Sequence, residues 1–112
     1  MPQDDRKSAL HVELERILDI LKKDFEPERV ILFGSLLSNQ TTPESDIDLL
    51  IIKQTNESFF ERVSHLEHLI QRKRAADLII LTPGEVEMMV KSENPYLLDI
   101  LKNGRVLYEA AA

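Results

Sequence analysis

The sequence of 112 residues predicts one α/β domain, a small sheet layered with helices. Three observations lead there. Segments with apolar residues at helical spacing alternate with short, unbroken apolar runs of strand length. Their order is helix, strand, strand, helix, strand, helix, helix, and a closing segment that reads either as a short strand or as an extension packed on the last helix. The length suits a single compact core, and an apolar fraction of 43% with 30% charged residues is ordinary for a globular chain.

Each element has its own signal. Between Asp4 and Lys23, Leu10, Leu14, Ile17, Leu18 and Leu21 recur on one helical face with charged residues between them, which predicts an amphipathic helix. Pro27 breaks it. Val30 to Phe33 is a continuous apolar run ended by Gly34, as expected of a strand buried on both faces. Asn39 to Ser45 has no apolar residue and reads as a loop. Asp46 to Ile52 is strand-like, with Asp46 and Asp48 at its first and third positions. Phe59, Val63, Leu66 and Ile70 predict a second helix that closes in the basic cluster Arg72 to Arg74, where cations suit the helix C-terminus. Ala76 to Leu81 is a third strand. Thr82, Pro83 and Glu85 then form a helix start, with Thr as N-cap, Pro at the first position and Glu three after the cap. Asn94-Pro95 repeats the signal, and Gly104 stands where a left-handed C-cap is expected. Arg105 to Glu109 is the closing segment with two readings.

Composition excludes several classes. No apolar run approaches the roughly 20 residues of a membrane span, and the N-terminus does not read as a signal peptide. The chain has no cysteine, so a disulfide or a thiolate zinc site is ruled out and the cytoplasm is the expected compartment. With 20 acidic and 14 basic side chains, the net charge of −6 repels a phosphate backbone, so long nucleic acid is not an expected partner.

The chemistry concentrates between Gly34 and Asp77. Successive side chains of a strand point to opposite faces, so Asp46 and Asp48 share a face. Two like charges this close destabilise the site unless a cation lies between them, and hard oxygen ligands suit magnesium. Asp77 opens the third apolar strand, and where that strand lies beside Asp46 to Ile52 its carboxylate completes a three-acid cluster able to hold two ions. Gly34-Ser35 ends the preceding strand, and a Gly there allows a sharp bend that turns backbone N–H groups and the Ser hydroxyl toward an anion. Beside two metals, such a cradle predicts in-line attack on a nucleoside triphosphate.

Gly34-Ser35, ten intervening residues, Asp46-Ile47-Asp48 and a later Asp77 resemble the signature of the DNA polymerase beta-type nucleotidyltransferase superfamily. The ending "DLIILTPGEVE…NPYLLDILKNGRVLY" resembles its minimal nucleotidyltransferases, small antitoxins that pair with helical HEPN toxins. The likeness runs from about Pro27 to Tyr108. It implies an α+β fold with a small mixed sheet, like the palm of polymerase beta. It also implies two magnesium ions on Asp46 and Asp48, with Asp77 binding one of them and helping to deprotonate the acceptor, and Gly34 and Ser35 holding the triphosphate of ATP. The implied acceptor is a tyrosine of the HEPN partner. A chain this short leaves no room for an acceptor domain, so a partner or a second copy of the chain is expected to complete the cleft.

The chain departs from that pattern at Leu36, where the family commonly has Arg, and at Asn39, where it commonly has Gly. Asn tolerates a left-handed backbone, but Leu36 cannot pair with a phosphate. Lys53, Arg72, Lys73 and Arg74 are candidates for the missing charge, weighed against an ordinary place at the solvated surface. The departures keep a second function in view, an antitoxin that neutralises by contact without turnover. A third, transfer to a small molecule of antibiotic type, lacks the acceptor domain. A dehalogenase-type phosphatase is set aside because its Asp pair ends an apolar strand, whereas here the pair opens one. His65 and His68 lie three apart on one helix and read as surface residues, and Phe59, Phe60, Met88 and Met89 as core or partner surface.

Overall fold

In the computed structural model, which describes residues 2–34, 47–73 and 76–110 with side chains from residue 9 onward, four strands form one mixed sheet. They are β1 (Arg29–Phe33), β2 (Ile47–Ile52), β3 (Ala76–Leu81) and β4 (Arg105–Glu109), laid out in the order β3-β2-β1-β4. β1 runs antiparallel to both β2 and β4, and β2 runs parallel to β3. A parallel neighbour needs a crossover, and α2 (Phe59–Ile70) supplies it. The fold is α+β, as the sequence predicts.

The segment with two readings is a strand. β4 adds to the outer edge of β1, and an Arg29–Glu109 ion pair of 2.8 Å closes its end. α1 (Pro2–Ile20) continues into one wider turn, Leu21–Phe25, in which the Glu26 N–H donates to the Leu21 carbonyl at 3.1 Å. Glu26 leaves that turn in the left-handed region, with φ 51°, and the buried Pro27 prevents further helix.

Strand alternation sorts the apolar residues into two cores. Val30 and Leu32, with Ile47, Leu49 and Ile51 and with Leu78 and Ile80, meet Leu10, Leu14, Ile17, Leu21 and Phe25 below them and Leu66 and Ile70 from α2. The opposite parity, Ile31, Leu50, Ile52 and Leu81, meets Leu97 and Ile100 of α4 (Pro95–Asn103), with Val86 and Met89 of α3 (Pro83–Lys91) at the margin. Helices thus cover both faces of the central strands, which explains why β1 and β2 read as unbroken apolar runs. Each such buried Leu or Ile contributes about 1.5–3 kcal/mol.

The starts of α2, α3 and α4 are capped by side chains. The Thr82 hydroxyl accepts from the Glu85 N–H at 3.1 Å while Glu85 accepts from the Thr82 N–H at 2.8 Å. Ser58 and Glu61 form the same reciprocal box on α2, and Asn94 accepts from the Leu97 N–H on α4. Glu85 also holds a cation. Arg62, only 6% exposed, donates to Glu85 at 2.7 and 3.1 Å and to the carbonyls of Glu57 and Ile80, tying α2, β3 and α3 together.

Two boundaries differ from the sequence expectation. α2 ends at Ile70, before the basic cluster, because Gln71 turns left-handed at φ 42° and its N–H donates to the Glu67 carbonyl. Ile70 is the last side chain the core can take, and Arg16 receives the chain there by donating to the Ile70 carbonyl at 2.7 Å. The buried Glu13 holds Arg16 in place at 2.8 Å and accepts from the Lys73 N–H at 2.6 Å. Gly104 is not a left-handed cap. Its backbone is extended, at φ −72° and ψ 164°, and the need for Gly is one of space: a Cβ would lie 2.6 Å from Ile31 Cγ2 and 2.5 Å from the Ile100 carbonyl.

Candidate active site

The acids gather at the end of the sheet where β1 finishes and β2 and β3 begin. Asp48 shares parity with Leu50 and Ile52, and Asp77 with Ile79 and Leu81, so both carboxylates belong to the face covered by α3 and α4. In the parallel register Asp48 lies directly beside Asp77, and on its other side Phe33 is its antiparallel partner. Asp48 is half-buried and Asp77 exposed.

Gly34 follows Phe33 at φ 84°, a left-handed conformation that favours glycine. The bend also presses on the acid: a Cβ at residue 34 would lie 2.0 Å from Asp48 Oδ2. Of the residues singled out from the sequence, the structure therefore brings together Gly34, Asp48 and Asp77. Ser35 and Asp46, together with Leu36, Asn39 and Arg74, lie outside the described residues. Two carboxylates on neighbouring strands, with a tight backbone bend against one of them, form a set of hard oxygen donors that fits magnesium. Among the described residues no group of three or more His, Cys, Asp or Glu is placed to hold a metal, and Asp46, the third acid of the expected cluster, is not among them.

Two of the suggested replacements for the missing Arg, Lys53 and Arg72, are placed elsewhere or already engaged. Lys53 follows the far end of β2 from Asp48, and its ammonium donates to the Phe25 carbonyl while lying 4.7 Å from the centre of the Phe25 ring. Arg72 donates to Glu67 at 2.8 Å. His65 lies 3.5 Å from Glu57 and packs edge-on against Phe25. Phe60 and Met88 are exposed, whereas Met89 joins the core beneath α3 and α4. A cavity of about 390 Å³ opens at the other end of the sheet, lined by Ile52, Pro83, Val86, Glu28 and the paired Arg29 and Glu109.

One residue at the acid end was missed. Tyr96, in the first turn of α4, sets its ring edge-on to Phe33, with centroids 6.2 Å apart and planes at 88°. Partial burial pushes its hydroxyl above the ordinary phenol range, and the carboxylates of Asp77 and then Asp48 push the same way. The Asn94-Pro95 start placed Tyr96 on a helix, but only the packing of α4 across β1 brings it to the acids. No helix among the described residues is long and apolar enough to cross a membrane.

Comparison with known proteins places the chain in a family. Residues 15–112 match the family "Polymerase beta, Nucleotidyltransferase". A protein of Methanocaldococcus jannaschii, named "Putative protein adenylyltransferase MJ0128", is 29% identical over 80 residues, which is 70% of this chain and 72% of that protein. A crystal structure from Sulfolobus solfataricus, described as a "putative nucleotidyltransferase", superimposes with a TM-score of 0.58 at 21% identity, over 75% of this chain and 77% of the other, and so shares the fold. With the family match spanning most of its length, and two aspartates side by side with a glycine bend against one of them, the chain belongs to the polymerase beta nucleotidyltransferase family.

Proposed function

We propose that the chain is a magnesium-dependent adenylyltransferase that moves AMP from ATP to a tyrosine hydroxyl of a HEPN toxin and thereby acts as its antitoxin. The observation that carries this reading is the lateral register of Asp48 and Asp77 with Gly34 packed against Asp48. The name of the M. jannaschii relative supports a protein acceptor.

In this reading Asp46, Asp48 and Asp77 hold two magnesium ions, and Gly34 and Ser35 receive the triphosphate. Bound magnesium supplies positive charge that activates the attacking hydroxyl and neutralises charge around phosphorus. Asp77, the more exposed carboxylate, takes the hydroxyl proton. The Asp48 carboxylate occupies the space a Cβ at residue 34 would need, so glycine leaves it room at the bend.

Titration calorimetry with ATP and magnesium, followed by mass spectrometry of any HEPN protein encoded in the adjacent reading frame, tests the proposal. The wild type should add AMP to a partner tyrosine. The Asp46→Asn, Asp48→Asn double variant should lose transfer and keep its fold, with equal or greater stability because like charges are removed. Undiminished transfer by that variant refutes the assignment. Tight partner binding with no added AMP would instead establish an antitoxin that works by contact, the reading that Leu36 in place of Arg favours.

A further inference from the structure

A phenol stands at the acid end of the sheet. Leu97 and Ile100 seat α4 on the sheet face that carries Asp48 and Asp77, which sets the preceding residue, Tyr96, over the end of β1. There its ring meets Phe33, the cross-strand neighbour of Asp48. Tyr96 is still 56% exposed, so the contact leaves much of it open to a ligand. Asp77 lies beside Asp48 in the parallel register, and its carboxylate is the one expected to take an acceptor's proton.

We propose that Tyr96 is an acceptor in cis: with ATP and magnesium bound, the chain adenylylates its own Tyr96 hydroxyl. This rests on the adenylyl-transfer reading above and adds a modification site to it. The Tyr96 oxygen forms a bond to the α-phosphorus, the bond from that phosphorus to the bridging oxygen of the β-phosphate breaks, and pyrophosphate leaves. The phenolic proton passes to the Asp77 carboxylate. No oxidant or further co-reactant is needed. Self-transfer and transfer to a partner would compete, since both hydroxyls require the same place beside Asp77.

The second tyrosine provides an internal control. Tyr108 is half-buried on β4 across from Val30, with the Lys22 ammonium 5.7 Å from its ring centre, and no element brings it to the acids. The full chain is incubated with ATP and magnesium in the absence of any partner, and intact mass and peptide mapping are recorded. An AMP adduct on Tyr96 is expected, with none on Tyr108, and it is lost in Tyr96→Phe and in the Asp48→Asn, Asp77→Asn double variant. An adduct that persists in the double variant overturns the proposal, because the acids would then play no part.

A second readout needs no turnover. An ATP analogue with a methylene between the α- and β-phosphorus, bound with magnesium, should shield Tyr96 from nitration by tetranitromethane and leave Tyr108 as reactive as before. Unchanged nitration of Tyr96 overturns the placement. If the wild type adds AMP to a HEPN partner while Tyr96 alone never acquires it, the self-modification fails and the proposed function stands. If the chain neither binds the analogue nor modifies any protein, both fail together.

Discussion

Gly34 shows how much one residue can decide. Its φ of 84° already disfavours any side chain, and the room a side chain would need is filled by the Asp48 carboxylate, 2.0 Å from where a Cβ would sit. Gly34→Ala should therefore lower stability by about 1–3 kcal/mol in urea unfolding and weaken binding of ATP with magnesium. The cause can be isolated by a cycle. In an Asp48→Ala background the same change should cost less, since only the backbone strain remains, whereas an equal cost would show that the carboxylate is not the obstacle. The Gly-Ser-Asp spacing made both residues conspicuous in the sequence, but that spacing predicted a cradle for an anion and was silent on the contact between Gly34 and Asp48.

Among the elements, α3 has a start whose function reaches beyond its own backbone. Glu85 closes the cap of Thr82 and also pairs with the nearly buried Arg62 of α2. Glu85→Gln keeps an acceptor for the Thr82 N–H and removes the charge, and should cost about 1–2 kcal/mol; Glu85→Ala loses the cap as well and should cost roughly 1 kcal/mol more. Denaturant midpoints of the two variants check the order. The Arg62 hydrogen bonds, first among several causes, hold the Glu85 carboxyl below its ordinary range. A depressed carboxyl releases its proton more readily in the folded chain than in the unfolded one, so its contribution is complete at neutral pH. That contribution is lost as the pH falls through about 4 and below, and Glu85→Gln should flatten this part of the acid limb. The cap was legible from Thr82-Pro83-Gly84-Glu85, but Arg62 was not: within α2 it looked like one more charged position, and its burial follows from α2 lying against β3 beside Glu85.

For the molecule as a whole, the sheet separates a supporting core from a core that carries the site. Ile17 is buried with α1 on one face and Ile100 with α4 on the other. Ile17→Ala and Ile100→Ala should each cost about 2–5 kcal/mol. Only Ile100→Ala should also loosen the Phe33–Tyr96 contact, seen as faster nitration of Tyr96 at a temperature where both variants remain folded. Equal Tyr96 reactivity in the two would mean that α4 does not position the ring.

Local chemistry determined the order of the first seven elements and the caps that start α3 and α4, because apolar period and capping residues act over a few positions and are written in the chain itself. Tertiary structure alone decided that β2 and β3 run parallel with Asp48 beside Asp77, that Gly104 is needed for close packing on Ile31, and that Tyr96 reaches the acid end. These depend on which strand is neighbour to which and on how a helix crosses the sheet. Residues such as Asp48 and Tyr96, 48 positions apart in the chain, come together only through that arrangement.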